Sequence, residues 1–277
     1  MLIYDFDGSF EGLLTALYQS SVRKEKPDQI LARQGMPVNW LDQYATIETD
    51  LAAAEKVARS IRSRISEQAF EHILHVFQTE RPERGYWIDR YVRLGFRFGS
   101  SVDDHLQEDI IRTVHEQSRR VSRETHRMTG LIRFIRSSAG IFYAKYEPDN
   151  NITMFLAPHF ADRLADQPWI IHDIRRGVAA LYNGQEWILT DTVPATLASW
   201  TDCDDVFEEI WRAYHRQIAI AERINPKLQR NLMPMRYWKH LTEFTAGQAG
   251  AGKDGEPISA EAGAVRPYGS GFPQIRD

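Results

Sequence analysis

The chain has 277 residues, enough for one large domain or two modest ones, each able to bury a core. Hydrophobic residues at 43% and charged residues at 26% exclude a wholly disordered chain. With 34 basic against 38 acidic side chains, net −4, bulk cationic binding of nucleic acid is excluded, while local basic faces stay open.

The single cysteine, Cys203, excludes an internal disulfide, a Cys₄ zinc site and a self-supplied iron–sulfur cluster. No window is long and apolar enough for a membrane helix, and Met1–Asp5 lacks the basic-then-apolar layout of a signal peptide. The expectation is a cytoplasmic protein with no membrane partner.

In chain order, Leu2 to Phe6 reads as a short strand ending in a turn at Asp7-Gly8. Phe10, Leu13, Leu14, Leu17 and Tyr18 then recur with helical period. Gln29 to Asp50 has few periodic apolar residues and is read as loop, with room for one strand. A helical block follows to Met128. Its stripes are Leu51, Ala54, Ala58, Ile61 and Ile65, then Phe70, Ile73, Leu74 and Phe77 after a Ser66 cap. Pro82 breaks the pattern. Leu106, Ile110, Val114 and Val121 continue it on a long helix, with Asp103 or Asp104 as its cap.

The period then shortens towards 2. Residues 131–135, 141–146, 152–156, 169–174, 178–182 and 187–190 read as strands, with one helical excursion at His159 to Ala165. Asn183-Gly184 has hairpin chemistry. Helical spacing returns at Val206, Ile210, Ala213 and Tyr214, and breaks at Pro226 and Pro234. The layout predicts an α+β fold with a mostly antiparallel central sheet, a single domain over 1–245, and a flexible Gly/Ala/Pro-rich tail over 246–277.

The net charge conceals a local asymmetry. Between Arg112 and Arg136 there are seven arginines against two glutamates. Arg223, Lys227, Arg230, Arg236 and Lys239 form a second run with no acid between Arg223 and His240. Arg120, Arg123 and Arg127 lie three and four residues apart, so they share a helix face with Glu124 near it, and Arg119 lies beside them. A solvated face and an anion-contact face both fit this spacing, and the planar guanidinium fork suits bidentate phosphate contact.

Several segments carry a family resemblance together: Tyr4–Ala16 (YDFDGSFEGLLTA), Glu124–Phe134 (ETHRMTGLIRF), Pro158–Arg163 (PHFADR), Pro168–Asp173 (PWIIHD), Glu222–Gln229 (ERINPKLQ) and Met233–Trp238 (MPMRYW). Over residues 1–245 the chain resembles the bacterial DNA-metabolism protein family. This is a domain of unknown function that accompanies a DNA-repair-type radical-SAM protein and is fused in some relatives to a uracil-DNA-glycosylase-like domain. The resemblance implies DNA and the radical-SAM protein as partners. No glycosylase motif and no three-cysteine cluster is present here, so neither chemistry is carried over and no cofactor is expected.

Four clusters are candidate sites. Glu124, His126 and Arg127, with Arg133 in the following strand, offer acid/base chemistry or a phosphate grip; the alternative is a salt bridge joining helix to sheet. His159, Asp162 and Arg163 near a helix start suit an anion, or simply cap and pack. Asp173, with Arg175 and Arg176, is either a weak catalytic candidate or an ion pair. Arg223, Asn225, Gln229, Arg236, Tyr237 and Trp238 mix cations, amides and aromatics suited to single-stranded or flipped bases, against the commoner fate of aromatics that dock a helix.

Two patterns are set aside. Gly247 to Lys253 has phosphate-loop spacing but lacks the hydroxyl and the preceding strand. His72 and His75 share a helical face with no third ligand near in sequence, so no metal is expected. The function expected is a nucleic-acid-binding accessory protein of DNA repair or modification. The alternatives are an enzyme on a nucleic-acid base or phosphodiester, with Glu124, His126 or Asp173 as acid/base, and a protein-binding adaptor.

Overall fold

The computed structural model describes residues 1–33, 39–137, 140–191 and 225–245. β1 (Leu2–Phe6) runs into Asp7-Gly8-Ser9, where Gly8 takes φ +91°, a conformation that glycine adopts without a Cβ clash. Asp7 Oδ1 accepts hydrogen bonds from the Ser9 amide and hydroxyl, and Ser9 Oγ accepts from the Gly12 amide. That chain of bonds caps α1 (Phe10–Val22) at its first turn.

The stretch expected to be mostly loop supplies two strands, not one. β2 (Gln29–Ala32) and β3 (Gln43–Thr46) both pair parallel with β1, in the order β2-β1-β3. Each is four residues long and without alternation, so the pairing with β1 and not local periodicity makes it a strand. Buried Asp5 ties both neighbours to the centre, accepting from Arg33 Nε at 2.9 Å and from Thr46 Oγ1 at 2.9 Å.

Helices α2 (Leu51–Arg64), α3 (Glu67–Phe77), α4 (Arg84–Phe98) and α5 (Asp109–Leu131) follow. Ser66 caps α3 as expected, through the Ala69 amide. Asp103 and Asp104 do not cap α5. They lie in a 3₁₀ segment (Gly99–Asp104), and the Asp103 carboxylate instead takes Tyr91 and His115. Gly85 sits where a Cβ would meet the Ile30 carbonyl oxygen at 2.2 Å, so α4 lies directly on β2.

A second sheet has the order β4-β5-β6-β7-β8: Ile135–Arg136, Phe142–Tyr146, Trp169–Asp173, Val178–Tyr182 and Trp187–Thr190. Every pairing is antiparallel except β5 with β6, which α6 (Thr153–Arg163) connects as a crossover. Residues 152–156 are therefore not a strand but the start of α6, and Pro158 lies inside that helix. A short apolar run of this kind does not distinguish the two. Asn183-Gly184 forms the expected hairpin, with Gly184 at φ +96° and Asn183 Oδ1 accepting from the Gln185 and Glu186 amides.

The described chain ends in a short helix (Pro226–Leu232), a 3₁₀ segment (Met235–His240) and one turn (Thr242–Thr245). The helical reading around Val206–Tyr214, the tail and the Gly247–Lys253 pattern lie outside the described residues. The class is α+β.

Among the described residues the core consists of two large buried clusters and a small third one of Tyr143, Ile170 and Ala179. The first gathers Tyr4, Phe6, Leu13, Ile30, Ile73, Ile88 and Tyr91, and the second Leu156, Phe160, Trp169, Ile171, Tyr237 and Leu241. α5 serves both, giving Ile111 and Val114 to the first and Val121, Met128 and Leu131 to the second. At 1.5 Å per residue its 23 residues span roughly 35 Å. What remains on its other face is the polar half of the helix.

Candidate functional site

That outer face of α5 forms one wall of a groove of about 520 Å³. Gln117, Arg120, Arg123, Glu124 and Arg127 line it from α5, Glu80 and Arg81 from the α3–α4 connection, Asp149 and Asn150 from the loop after β5, and Arg236 from the C-terminal 3₁₀ segment. The three arginines follow the 3- and 4-residue spacing of one helix face, as the sequence predicts. Among the described residues, Arg81, Arg120, Arg123 and Arg127 meet no carboxylate within ion-pair distance. Arg120 and Arg123 are exposed and Arg127 half-buried.

Like charges at these spacings repel by about 0.2–0.5 kcal/mol per pair. The fold thus holds three guanidinium groups side by side, none of them ion-paired to a described carboxylate; the groove's own carboxylates, Glu80, Glu124 and Asp149, are engaged by other groups.

The groove's shape depends on Glu124. Its carboxylate is buried and accepts from the Asp149 amide at 2.6 Å, the Asn150 amide at 3.0 Å, the Asn150 side-chain amide at 2.6 Å and the Tyr237 hydroxyl at 2.8 Å. Four donors on one carboxylate fix the 149–150 loop and the C-terminal segment against α5, so Glu124 positions the groove wall. Burial, then Glu124, push the Tyr237 hydroxyl above its ordinary value, which keeps it a donor.

Behind the loop, Arg176 is a second brace. It pairs with buried Asp173 at 2.6 Å and Glu80 at 2.7 Å, and donates to the Pro148 and Asp149 carbonyls at 3.1 and 2.7 Å. Arg236 pairs with Asp149 at 2.6 Å on the rim, with both side chains about half exposed, a pair worth little net energy.

A second recess of about 510 Å³ shares Glu80 and Arg81 with the groove. Phe6, Leu13, Ile30 and Phe77 make it largely apolar, with Gln78, Arg84, Asn151 and Arg176 at its polar edges. Arg84 is held there by the Phe77 and Thr79 carbonyls at 2.6 and 2.7 Å.

Other expected site residues fall elsewhere. Arg133 precedes β4 rather than lying in a strand, and it pairs with buried Glu243 at 2.7 Å; it braces the C-terminal turn and does not line the groove. Arg119 and His126 are exposed on α5 and outside the groove lining. Asp173 is fully buried against Arg176. Glu124, His126 and Asp173 therefore do not converge in one water-accessible pocket.

Because α6 starts at Thr153, His159, Asp162 and Arg163 lie in its second half, and Arg163 is its last residue, not part of an N-terminal anion site. Asn225 caps the helix Pro226–Leu232 by accepting from the Leu228 amide at 3.0 Å, and Gln229 lies within that helix. Tyr237 is buried, and Trp238 stacks on Phe244 at 4.4 Å and donates to the Met233 carbonyl, so the docking alternative describes both. Arg223 lies outside the described residues.

Glu80, Arg81, Asp149 and Asn150 were not among the predicted site residues. Asp149 and Asn150 are legible as a turn, but nothing local announces that the turn closes on Glu124.

A family model described as a domain of unknown function, DUF4130, matches residues 82–243. The chain belongs to this family. The arginines of α5, the 149–150 loop and Arg236 lie inside the matched span, with Glu80 and Arg81 just before it. No curated protein and no solved structure matches the chain. No described helix is long and apolar enough to cross a membrane.

Proposed function

We propose that the chain is a nucleic-acid-binding accessory protein that seats a phosphodiester backbone on Arg81, Arg120, Arg123 and Arg127. One observation supports this reading: four guanidinium groups line one groove of an overall acidic protein, and none of them has a carboxylate within ion-pair distance among the described residues. Such an array is stabilised by a polyanion, whose released counter-ions then drive binding.

The apolar recess that shares Arg81 has room for an unstacked base beside the phosphate track, which favours single-stranded or locally opened DNA over intact duplex. The DNA-repair or modification setting, the radical-SAM or glycosylase-type partner and a cytoplasmic location rest on the family resemblance and the sequence composition. The test is anisotropy with labelled single- and double-stranded oligonucleotides at low salt. Binding is expected to weaken steeply as salt rises and to favour the single strand; no binding of either at low salt refutes the proposal.

A further inference from the structure

Away from the groove, α3, the 3₁₀ segment and α5 bring three side chains together that are far apart in sequence. The His115 Nε2 lies 2.7 Å from Asp103 Oδ1, the His72 Nε2 lies 4.0 Å from the same oxygen, and one ligand atom from each residue falls within 4.8 Å of the others. The histidine and aspartate side chains are only 13–17% exposed. The pairing weighed from sequence, His72 with His75, is not the one that converges: both rings turn their Nδ1 to the Ser118 hydroxyl, each at 2.9 Å.

The hydrogen bonding gives these atoms roles. Ser118 has one proton to donate, so in the neutral arrangement one imidazole accepts it and the other donates Nδ1–H to the oxygen. With His72 as that donor, its Nε2 carries a lone pair. In either tautomer that nitrogen is buried with no hydrogen-bond partner among the described residues and lies 4.0 Å from Asp103 Oδ1. With His72 as the donor to Ser118 it turns a lone pair to the carboxylate, and with His75 as the donor it turns an N–H there. A buried lone pair aimed at a carboxylate is unfavourable unless a cation lies between them. Tyr91 donates to Asp103 at 2.6 Å and orients the carboxylate, so both His72 and Asp103 have the outer hydrogen bonds that metal ligands commonly have.

We propose that His72, Asp103 and His115 bind one divalent transition-metal ion of the zinc type, with a coordination position left open to water. Two imidazoles and one carboxylate form a donor set used by zinc and by other first-row divalent ions. Bond lengths of about 2.0–2.2 Å require ligand atoms about 3.3 Å apart. The 2.7 Å pair must therefore open by about 0.6 Å and the 4.0 Å pair close by about 0.7 Å, and the two imidazole nitrogens, within 4.8 Å of each other, must close by no more than about 1.5 Å, within reach of side-chain rotation. The ion would take the place of the hydrogen bond between His115 and Asp103, with a neutral His115 binding through Nε2 and keeping its one ring proton on Nδ1.

The full chain, stripped with a chelator and titrated with zinc chloride, is expected to take up one equivalent, and cobalt(II) in its place to develop a visible absorption band. His72→Gln and His115→Gln are each expected to weaken uptake at least tenfold, while His159→Gln, on the exposed face of α6, leaves it unchanged. In long-range ¹H–¹⁵N spectra of the wild type, two of the nine histidines should shift on adding zinc; this reading needs no folded variant. Absence of stoichiometric uptake by the wild type, undiminished uptake by both glutamine variants, or shifts in no histidine overturns the proposal. Nucleic-acid binding by the arginine groove is scored separately and does not depend on the result.

Discussion

Replacing Arg120, Arg123 and Arg127 together with alanine removes three of the four groove arginines that have no carboxylate partner among the described residues. Each lost phosphate contact lowers the slope of log K against log salt by about 0.9 on duplex DNA and about 0.7 on a single strand. Three contacts flatten the line by about 2.7 or about 2.1. Between about 50 and about 200 mM salt, the wild type should therefore lose about 40-fold more affinity than the variant on duplex, and about 20-fold more on a single strand. Stability should move little. Alanine is the better helix former, and removing neighbouring like charges relieves about 0.2–0.5 kcal/mol per pair. Anisotropy over a salt series with a labelled oligonucleotide gives the slopes, and thermal melting gives the control. Parallel salt lines for wild type and variant refute the reasoning; a melting point lowered by several degrees would show that these side chains brace the fold instead.

Arg133→Ala should do the reverse, because it removes the guanidinium that holds a carboxylate only 2% exposed: a loss of about 2 kcal/mol in urea unfolding with an unchanged salt slope for DNA. Glu124→Gln keeps the shape but turns an NH₂ group towards donors that need acceptors, so about 2–3 kcal/mol of stability is lost in the same assay. Gly85→Ala places a methyl 2.2 Å from the Ile30 carbonyl and should cost about 3 kcal/mol by forcing α4 off β2. Burial holds His75, His172 and His240 below the ordinary imidazole value of 6.5. The unfolded chain then binds more protons than the folded one below that pH, so unfolding free energy should be fullest above 6.5 and fall as pH drops from there towards 5. Melting temperatures that stay flat across this window would contradict it.

The helices were readable where periodicity and capping agree, as at Ser66 before α3, and the Asn183-Gly184 hairpin was readable from turn chemistry. The parallel strands β2 and β3 were not, because four-residue segments such as Gln-Ile-Leu-Ala become strands only when β1 supplies partners. Residues 152–156 misread as a strand for a related reason: an apolar run buried on all sides has no period to measure. Of the site, the arginine face of α5 was legible from spacing alone.

By itself, the amino-acid order determined the α+β class, the spacing that puts Arg120, Arg123 and Arg127 on one helix face, and the local excess of positive charge, since all three follow from neighbours a few residues apart. Only the tertiary structure decided which arginines are unpaired. Arg127 and Arg133 look equivalent along the chain, yet Arg133 meets Glu243 from more than a hundred residues away while Arg127 meets no carboxylate among the described residues. It likewise decided that His72 converges with His115 and Asp103 rather than with His75. Ion pairing and metal ligation depend on distances of a few ångströms, and long-range chain packing sets those distances.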